Sequence, residues 1–228
     1  MKAVILAAGM GSRLGKSYPK SLNKLPYGES IIQRQVRILR ELGICEIVAV
    51  VGFKKELIME HVPNIYYKYN PLYYVTNTSK SLLIGIEDIY DDILWLNGDV
   101  VFEKAALKDF IHAKERNKIL VNNEKCGDEE VKYSIDDDGR IKEISKQVIE
   151  GKGEALGINI ISKKYLEIFK ECLRECNNDD YFEKGIEFAI KKNISFFPIC
   201  IAEKKCIEVD FYEDWEKACG IFNIEGAL

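Results

Sequence analysis

Lys2-Ala3-Val4-Ile5-Leu6-Ala7-Ala8-Gly9-Met10-Gly11-Ser12-Arg13-Leu14 opens the chain and decides how the rest is read. Residues 2–7 are an unbroken run of strand-forming apolar side chains, the pattern of a strand buried on both faces in a parallel sheet. Two glycines follow at once, Gly9 and Gly11, so the strand empties into a tight loop. Glycines there let the backbone approach a phosphate with its N–H groups pointing at it.

The downstream pattern agrees with a parallel sheet. Apolar residues at helical spacing predict a helix over 30–42 that stops at Gly43. Residues 45–51 predict a second strand, 54–61 a short helix, 65–69 a third strand, 79–90 a helix and 92–97 a central strand. This alternation is that of βαβ units with helices on both faces of the sheet. The middle changes character: 118–122, 130–136, 140–145 and 154–161 are short strand-like runs, and Asp136-Asp137-Asp138-Gly139 marks a hairpin turn. Helices over 163–176 and 180–192, a strand at 195–201 and a helix at 212–222 complete the pattern. No repeat, low-complexity tract or linker interrupts it, so residues 1–228 read as one domain, an ordinary size for an α/β protein.

Composition narrows the function. The formal net charge is −4, which argues against a nucleic-acid or membrane-surface binder, though a locally basic pocket on an acidic protein still takes an anion. Seven cysteines and only two histidines, His61 and His112, supply no zinc pattern, and the thiols read as reduced and packed. Met1-Lys2 runs straight into a strand without a signal segment, and no stretch of about 18 apolar residues spans a membrane. The expected location is cytoplasmic.

Three loop chemistries compete for residues 9–20. A dinucleotide fingerprint needs a third glycine where Leu14 stands. A phosphate-binding P-loop ending in Gly15-Lys16-Ser17 needs its first glycine where Met10 stands, and Tyr18-Pro19 disfavours the helix that must follow. The arrangement Gly9-x-Gly11-x-Arg13 followed by Pro19-Lys20 resembles the nucleotidyltransferase family, which includes the sugar-phosphate nucleotidylyltransferases and compact cytidylyltransferases. The resemblance implies a Rossmann-like three-layer α/β/α fold with a mixed, mostly parallel central sheet and a small β appendage over the active site. It also implies that Leu6, Ala8, Gly9, Gly11, Ser12 and Arg13 wrap a triphosphate, with Arg13 and Lys20 neutralising it.

Two acids suit a divalent cation. Leu94-Trp95-Leu96-Asn97-Gly98-Asp99 ends an apolar strand in a carboxylate, and ligands of parallel sheets lie beyond the carboxyl ends of strands. Glu208 and Asp210, two apart, share one face of any strand there. Magnesium takes one or two carboxylates together with phosphate oxygens and water. In the resembled family an Asp ends the central strand and a Glu-x-Asp precedes the last helix, which makes Asp99 and Asp210 the expected Mg2+ ligands. Read without it, Asp99 is a turn residue and Asp210 a helix N-cap.

The family's sugar-activating members carry a Gly-Thr-Ala triplet where this chain has Thr76-Asn77-Thr78-Ser79-Lys80-Ser81. The pattern is closer to cytidylyltransferases acting on phosphocholine, aminoethylphosphonate and related acceptors. The resemblance therefore implies CTP as donor, with Ala8, Asn77, Thr78, Ser81, Asn97 and Gly98 around the nucleotide, unless Thr78 or Ser79 merely caps a helix. It implies Lys146, in Ile144-Ser145-Lys146, pointing to the reacting phosphates. Glu154, Asn159, Asp180 and Tyr181 are the acceptor candidates. The first-choice acceptor is L-glutamine phosphate, with phosphocholine or 2-aminoethylphosphonate beside it, in capsule or cell-surface polysaccharide synthesis. Sugar-1-phosphate activation and a non-catalytic nucleotide-binding module are the alternatives. Folds of this class often dimerise, so a homodimer is also an expectation.

Overall fold

The computed structural model describes residues 1–11, 18–124, 126–200 and 206–222. A seven-strand path forms its spine in the order β10-β6-β9-β4-β1-β2-β3. These strands are β1 (Lys2–Ala7), β2 (Ile47–Val51), β3 (Tyr66–Tyr69), β4 (Ile93–Asn97), β6 (Lys118–Val121), β9 (Gly153–Ile161) and β10 (Phe197–Cys200). β1 pairs in parallel with β2 and β4, β2 with β3, and β6 with β10. Only β9 runs against its neighbours β4 and β6, so the sheet is mixed and mostly parallel.

Period-2 alternation along these strands sends side chains to two cores. Val4, Leu6, Val50 and Trp95 face one side and pack with Leu82, Ile86, Phe169, Phe182 and Ile186. Those partners come from α3 (Thr78–Ile86), α5 (Lys163–Glu175) and α6 (Phe182–Lys191). Ala3, Ile5, Ala49, Leu94 and Leu96 face the other side and pack with Val36, Leu39, Ile58, Leu107 and Phe110. Those come from α1 (Ile31–Glu41), α2 (Lys55–His61) and α4 (Lys104–His112). The result is the three-layer α/β/α arrangement. Burial of side chains this size contributes roughly 1.5–3 kcal/mol each before conformational entropy is charged against it.

The appendage is the hairpin β7 (Lys132–Ile135) and β8 (Ile141–Ser145), which joins β9 through Lys132 and Tyr133. Its turn closes on Asp136, whose N–H donates to the Arg140 carbonyl at 2.8 Å while Gly139 sits at φ +76°. Three elements escape the sequence reading: α4, β5 (Val100–Phe102) and β11 (Cys206–Glu208). The two strands have three residues each, too short for a period to show, and they pair only with one another, antiparallel. Helix α7 (Tyr212–Ile221) lies against this pair, burying Ala218 and Phe222 with Val101 and Val209.

All seven cysteines are unbridged. No helix among the described residues is long and apolar enough to cross a membrane.

Candidate active site

Parallel pairing aligns the carboxyl ends of β1 and β4, with Leu6 opposite Asn97. Both chains turn away there, and the gap becomes a cavity of about 1150 Å³. The turn after β4 is held from two sides. Gly98 N–H donates to the Leu6 carbonyl at 2.9 Å. Buried Gln35 of α1 donates Nε2 to the carbonyls of Asn97 and Val100, at 2.9 and 2.8 Å. A Cβ on Gly98 would come 2.8 Å from the Leu6 oxygen, so the approach of the two strand ends requires glycine.

The β5–β11 register carries the second acid to the first. Glu208 lies opposite Val100, and one step further Val209 N–H donates to the Asp99 carbonyl at 3.0 Å. Asp99 and Asp210, 111 residues apart, thereby converge on one ammonium. Lys20 Nζ is 3.5 Å from Asp99 Oδ2 and pairs closely with Asp210. Lys20 starts a single turn of 3-10 helix, Lys20–Leu22, and its stem passes over Gly11. Gly11 has φ +62°, and a Cβ there would meet Lys20 Cγ at 2.8 Å. The second glycine thus serves both the loop's left-handed turn and the path of the cation.

Electrostatics at this corner are unbalanced. Burial opposes charge on Lys20, but Asp99, Asp210 and Glu208 together hold its pKa above the usual lysine value. Burial pushes the Asp99 carboxyl up, against the pull of Lys20 and with the push of Asp210. Glu208 is pushed well above the usual range by burial and then by the two aspartates, although Asn97 Nδ2 donates to it at 2.9 Å. Among the described residues three acids therefore surround the Lys20 ammonium, and the buried Asn97 Oδ1 has no partner. Carboxylates and a spare amide oxygen in a sheltered corner form a hard-donor setting that suits Mg2+. Among the described residues no three His, Cys, Asp or Glu side chains form a complete cage. Two carboxylates with phosphate oxygens and water are what magnesium ordinarily takes. The residues present fit the ion.

Helix capping is not what holds Asp210. α7 is capped by Phe211 and Asp214: Asp214 Oδ2 accepts from the N–H of Phe211 at 3.0 Å and of Asp210 at 3.3 Å. Nor does Thr78 or Ser79 cap α3. That is done by Asn77, whose Oδ1 accepts from Thr78 N–H at 2.8 Å, while Thr78 Oγ1 accepts from Phe182 N–H at 3.0 Å.

Leu6, Gly9, Gly11, Lys20, Asn77, Thr78, Asn97, Gly98, Asp99, Lys146, Glu154, Tyr181 and Asp210 all line the one cavity. Lys146 follows β8, 3.3 Å from Glu129 and over the Tyr181 ring at 5.5 Å. Glu154 begins β9 at the same sheet edge and accepts from Asn122 Nδ2 at 3.0 Å; burial raises its pKa. Ser12 and Arg13 lie outside the described residues.

Four expected contacts are placed elsewhere. Ala8 is buried in the core, and its carbonyl accepts from Phe53 N–H at 3.1 Å. Ser81 points at Asn70, whose Nδ2 donates to its hydroxyl at 3.1 Å. Asn159 is 1 % exposed and sits opposite Trp95 in mid-sheet, five residues further along β9 than Glu154 and away from the cavity's edge. Asp180 closes its own loop by accepting from Asn177 N–H at 2.7 Å.

Among the lining residues that the sequence candidates missed, Glu183 stands out. Glu183, in the first turn of α6, is 7 % exposed, and its Oε2 has no hydrogen-bond partner among the described residues. Burial pushes its carboxyl up to about 7, eased by its own backbone N–H and by Lys146. A signal existed: an acid within the apolar series Phe182, Gly185, Ile186, Ala189, directly after an aromatic pair.

The chain is similar to known proteins in sequence and in fold. Residues 3–179 match the MobA-like NTP transferase domain. CMP-5'-(3-aminopropyl)phosphonate synthase of Streptomyces rubellomurinus is 35% identical over 54% of this chain, which spans 21% of that protein. CTP:phosphoglutamine cytidylyltransferase of Campylobacter jejuni is 26% identical over 75% of this chain and 72% of its own length. The chain thus spans only a fifth of the first of these relatives. Among solved structures, CTP:phosphocholine cytidylyltransferase from Streptococcus pneumoniae superposes with a TM-score of 0.80 at 22% identity, over 97% of this chain and 98% of the other. The inositol-1-phosphate CTP transferase of T. maritima does so with a TM-score of 0.80 at 18% identity, over 98% and 96%. At these identities the superpositions speak for the fold. The family match covers most of the chain, and the protein belongs to the MobA-like NTP transferase domain family.

Proposed function

We propose that this protein is a cytidylyltransferase, moving CMP from CTP to a small acceptor that bears a phosphate or phosphonate, with release of pyrophosphate. The observation that carries this reading is the convergence of Asp99, Asp210 and Lys20 beside Gly9 and Gly11. Nucleotide binding alone has no need of two acids placed against a lysine at the phosphate end. Relatives named for CTP-dependent transfer to phosphoglutamine and for CMP-aminopropylphosphonate synthesis support the choice of base and of acceptor class.

The triphosphate enters over the Gly9–Gly11 turn, its charge offset by Lys20 and, in this reading, by Arg13. Mg2+ held by Asp99 and Asp210 would neutralise phosphate oxygens and the charge that builds on the departing pyrophosphate. Asn77 and Thr78 at the α3 N-terminus, with Asn97 and Gly98, offer amide and hydroxyl groups to the nucleoside. Lys146 steers the acceptor phosphate toward the α-phosphorus. Two anions must meet for this attack, so fixed cations on both sides lower its barrier. The nucleophile is a phosphate or phosphonate oxygen, ionised at neutral pH, and needs no general base.

Incubation with Mg2+, each of four nucleoside triphosphates and a panel comprising phosphoglutamine, phosphocholine, 2-aminoethylphosphonate and glucose 1-phosphate tests the reading. CTP-dependent pyrophosphate release with a non-sugar acceptor supports it. Preference for UTP or dTTP with glucose 1-phosphate replaces it with sugar activation. Binding of nucleotide without pyrophosphate release across the panel replaces it with a regulatory module.

A further inference from the structure

Two walls of the cavity are stitched together from behind. Asn77 and Thr78 at the start of α3 line one wall, and Tyr181 and Phe182 at the start of α6 line another, beside Lys146. The connection that leads from α5 into α6 lies against the first turn of α3. Asn77 N–H donates to the Asn178 carbonyl at 2.7 Å, and Ser79 N–H to the Asp180 carbonyl at 3.3 Å. Asn77 Nδ2 donates to the Asp179 carbonyl at 3.2 Å. One bond runs the other way: Phe182 N–H donates to Thr78 Oγ1 at 3.0 Å. N–H groups at a helix start have no partner inside the helix, and here the connection supplies it.

Lys80 fastens this seam. It is half-buried, stands in the first turn of α3, and lies outside the cavity lining. Its Nζ donates to the carbonyls of Leu173 and Arg174, at 3.2 Å each, and to that of Cys176. An ammonium has three donors, and all three go to backbone oxygens. The last carbonyls of a helix lack partners within it and carry partial negative charge, so a cation is favoured there. A capping lysine alone would stabilise α5 and nothing more. The place where the connection ends gives Lys80 a larger part. Five residues after Cys176 comes Tyr181, whose ring lies under the Lys146 ammonium at 5.5 Å. Lys80 thereby joins the pair proposed for the nucleoside to the platform beneath the lysine proposed for the acceptor phosphate.

Resting on the cytidylyltransferase reading above, we infer that Lys80 is a positioning residue: it holds the α3 and α6 walls in one register, so that the acceptor phosphate meets the α-phosphorus in line. Attack between two bound substrates depends on alignment, and a displacement of about 1 Å caused by a distant substitution can cost a hundredfold in rate. Each substrate keeps its own contacts when the walls slip. The loss therefore falls on kcat and not on KM.

The test compares Lys80→Met, which keeps the stem and removes the donors, with Lys80→Arg, which keeps donors. Both are assayed with Mg·CTP and an acceptor that the wild-type protein uses, well below the unfolding midpoint, so that the enzyme is folded. Lys80→Met should lower kcat about tenfold to a hundredfold and leave KM for CTP within about threefold. Lys80→Arg should recover most of kcat. Unchanged kcat in Lys80→Met, a loss confined to KM, or an arginine variant no better than the methionine one overturns the inference. Amide exchange of the wild-type protein reads the seam even if Lys80→Met folds poorly. The amides of Asn77, Ser79 and Phe182 should have protection factors within about threefold of one another, as parts of one cooperative unit. A wider spread overturns the inference. Silence of the wild-type protein with every nucleotide and acceptor counts against the cytidylyltransferase reading, and the exchange measurement then still decides whether the seam is one unit. An active wild-type protein beside an equally active Lys80→Met counts against this inference alone.

Discussion

The two ends of the cavity handle charge in opposite ways. At the phosphate end the acids gather round a cation: Lys20 lies between Asp99 and Asp210, and Glu208 accepts from Asn97. Across the cavity Glu183 is more enclosed than these, yet its Oε2 has no donor among the described residues. Under the proposed function, the first arrangement exchanges one cation for others when Mg·CTP binds. Enclosed charge is tolerated when paired and costly when not, so the contrast predicts where mutations act on catalysis and where they act on stability.

The largest effect should come from Asp99→Asn. Removing one hard anion from the cation corner should lower kcat for pyrophosphate release about a thousandfold while the thermal transition is retained. Near-normal turnover would remove the corner from the chemistry. Lys20→Ala should come next. With its ammonium gone, three partly buried acids face one another, and the protein should lose about 1–3 kcal/mol in denaturant titration, part of it restored by Mg2+. An unchanged midpoint in metal-free buffer would mean that the pairing contributes nothing.

The acceptor end should show the reverse sign. Glu183 titrates near pH 7 in the folded protein against an ordinary 4.5. Between those values the folded state binds the proton and the unfolded chain does not, so stability falls as pH rises through that window and levels off above it. Glu183→Gln should therefore match the wild-type protein below about pH 4.5 and gain on the order of 3 kcal/mol by pH 8. Parallel stability curves for the two proteins would show that the carboxyl is not enclosed in solution. The smallest effect is expected at Ser81→Ala. It removes one of the two hydrogen bonds that buried Asn70 donates from Nδ2 and should cost about 1 kcal/mol without altering KM for CTP.

How far the sequence could be read follows the same division. Strands β1 and β4 and the glycines after β1 carry strong local patterns, so the sheet and its phosphate corner could be read from residues 2–11 and 93–99. The meeting of Asp99 with Asp210 depends on β5 and β11, three residues each, whose pairing is long-range and leaves no periodic trace. The resemblance supplied that pairing where periodicity was silent. At the acceptor end the reading went astray for a geometric reason. Asn159 shares β9 with Glu154, but five residues along an antiparallel strand carry it from the cavity's edge to mid-sheet, opposite Trp95. Asp180 and Glu183 are three apart around the entry to α6: the first is spent on closing its loop, and the second turns inward. Ser81 lies one helical turn along α3 from Asn77, deep enough for its hydroxyl to meet Asn70 instead of the cavity.

The central claim is that Asp99 and Asp210 act on one cation beside the early glycine turn. Mn2+ binding followed by electron paramagnetic resonance in the presence of CTP, for the wild-type protein, Asp99→Asn, Asp210→Asn and the double variant, tests it directly. The account predicts that each single substitution weakens Mn·CTP binding strongly and that the double variant adds little to either. Independent, additive losses, or wild-type binding in the Asp210 variant, would contradict it.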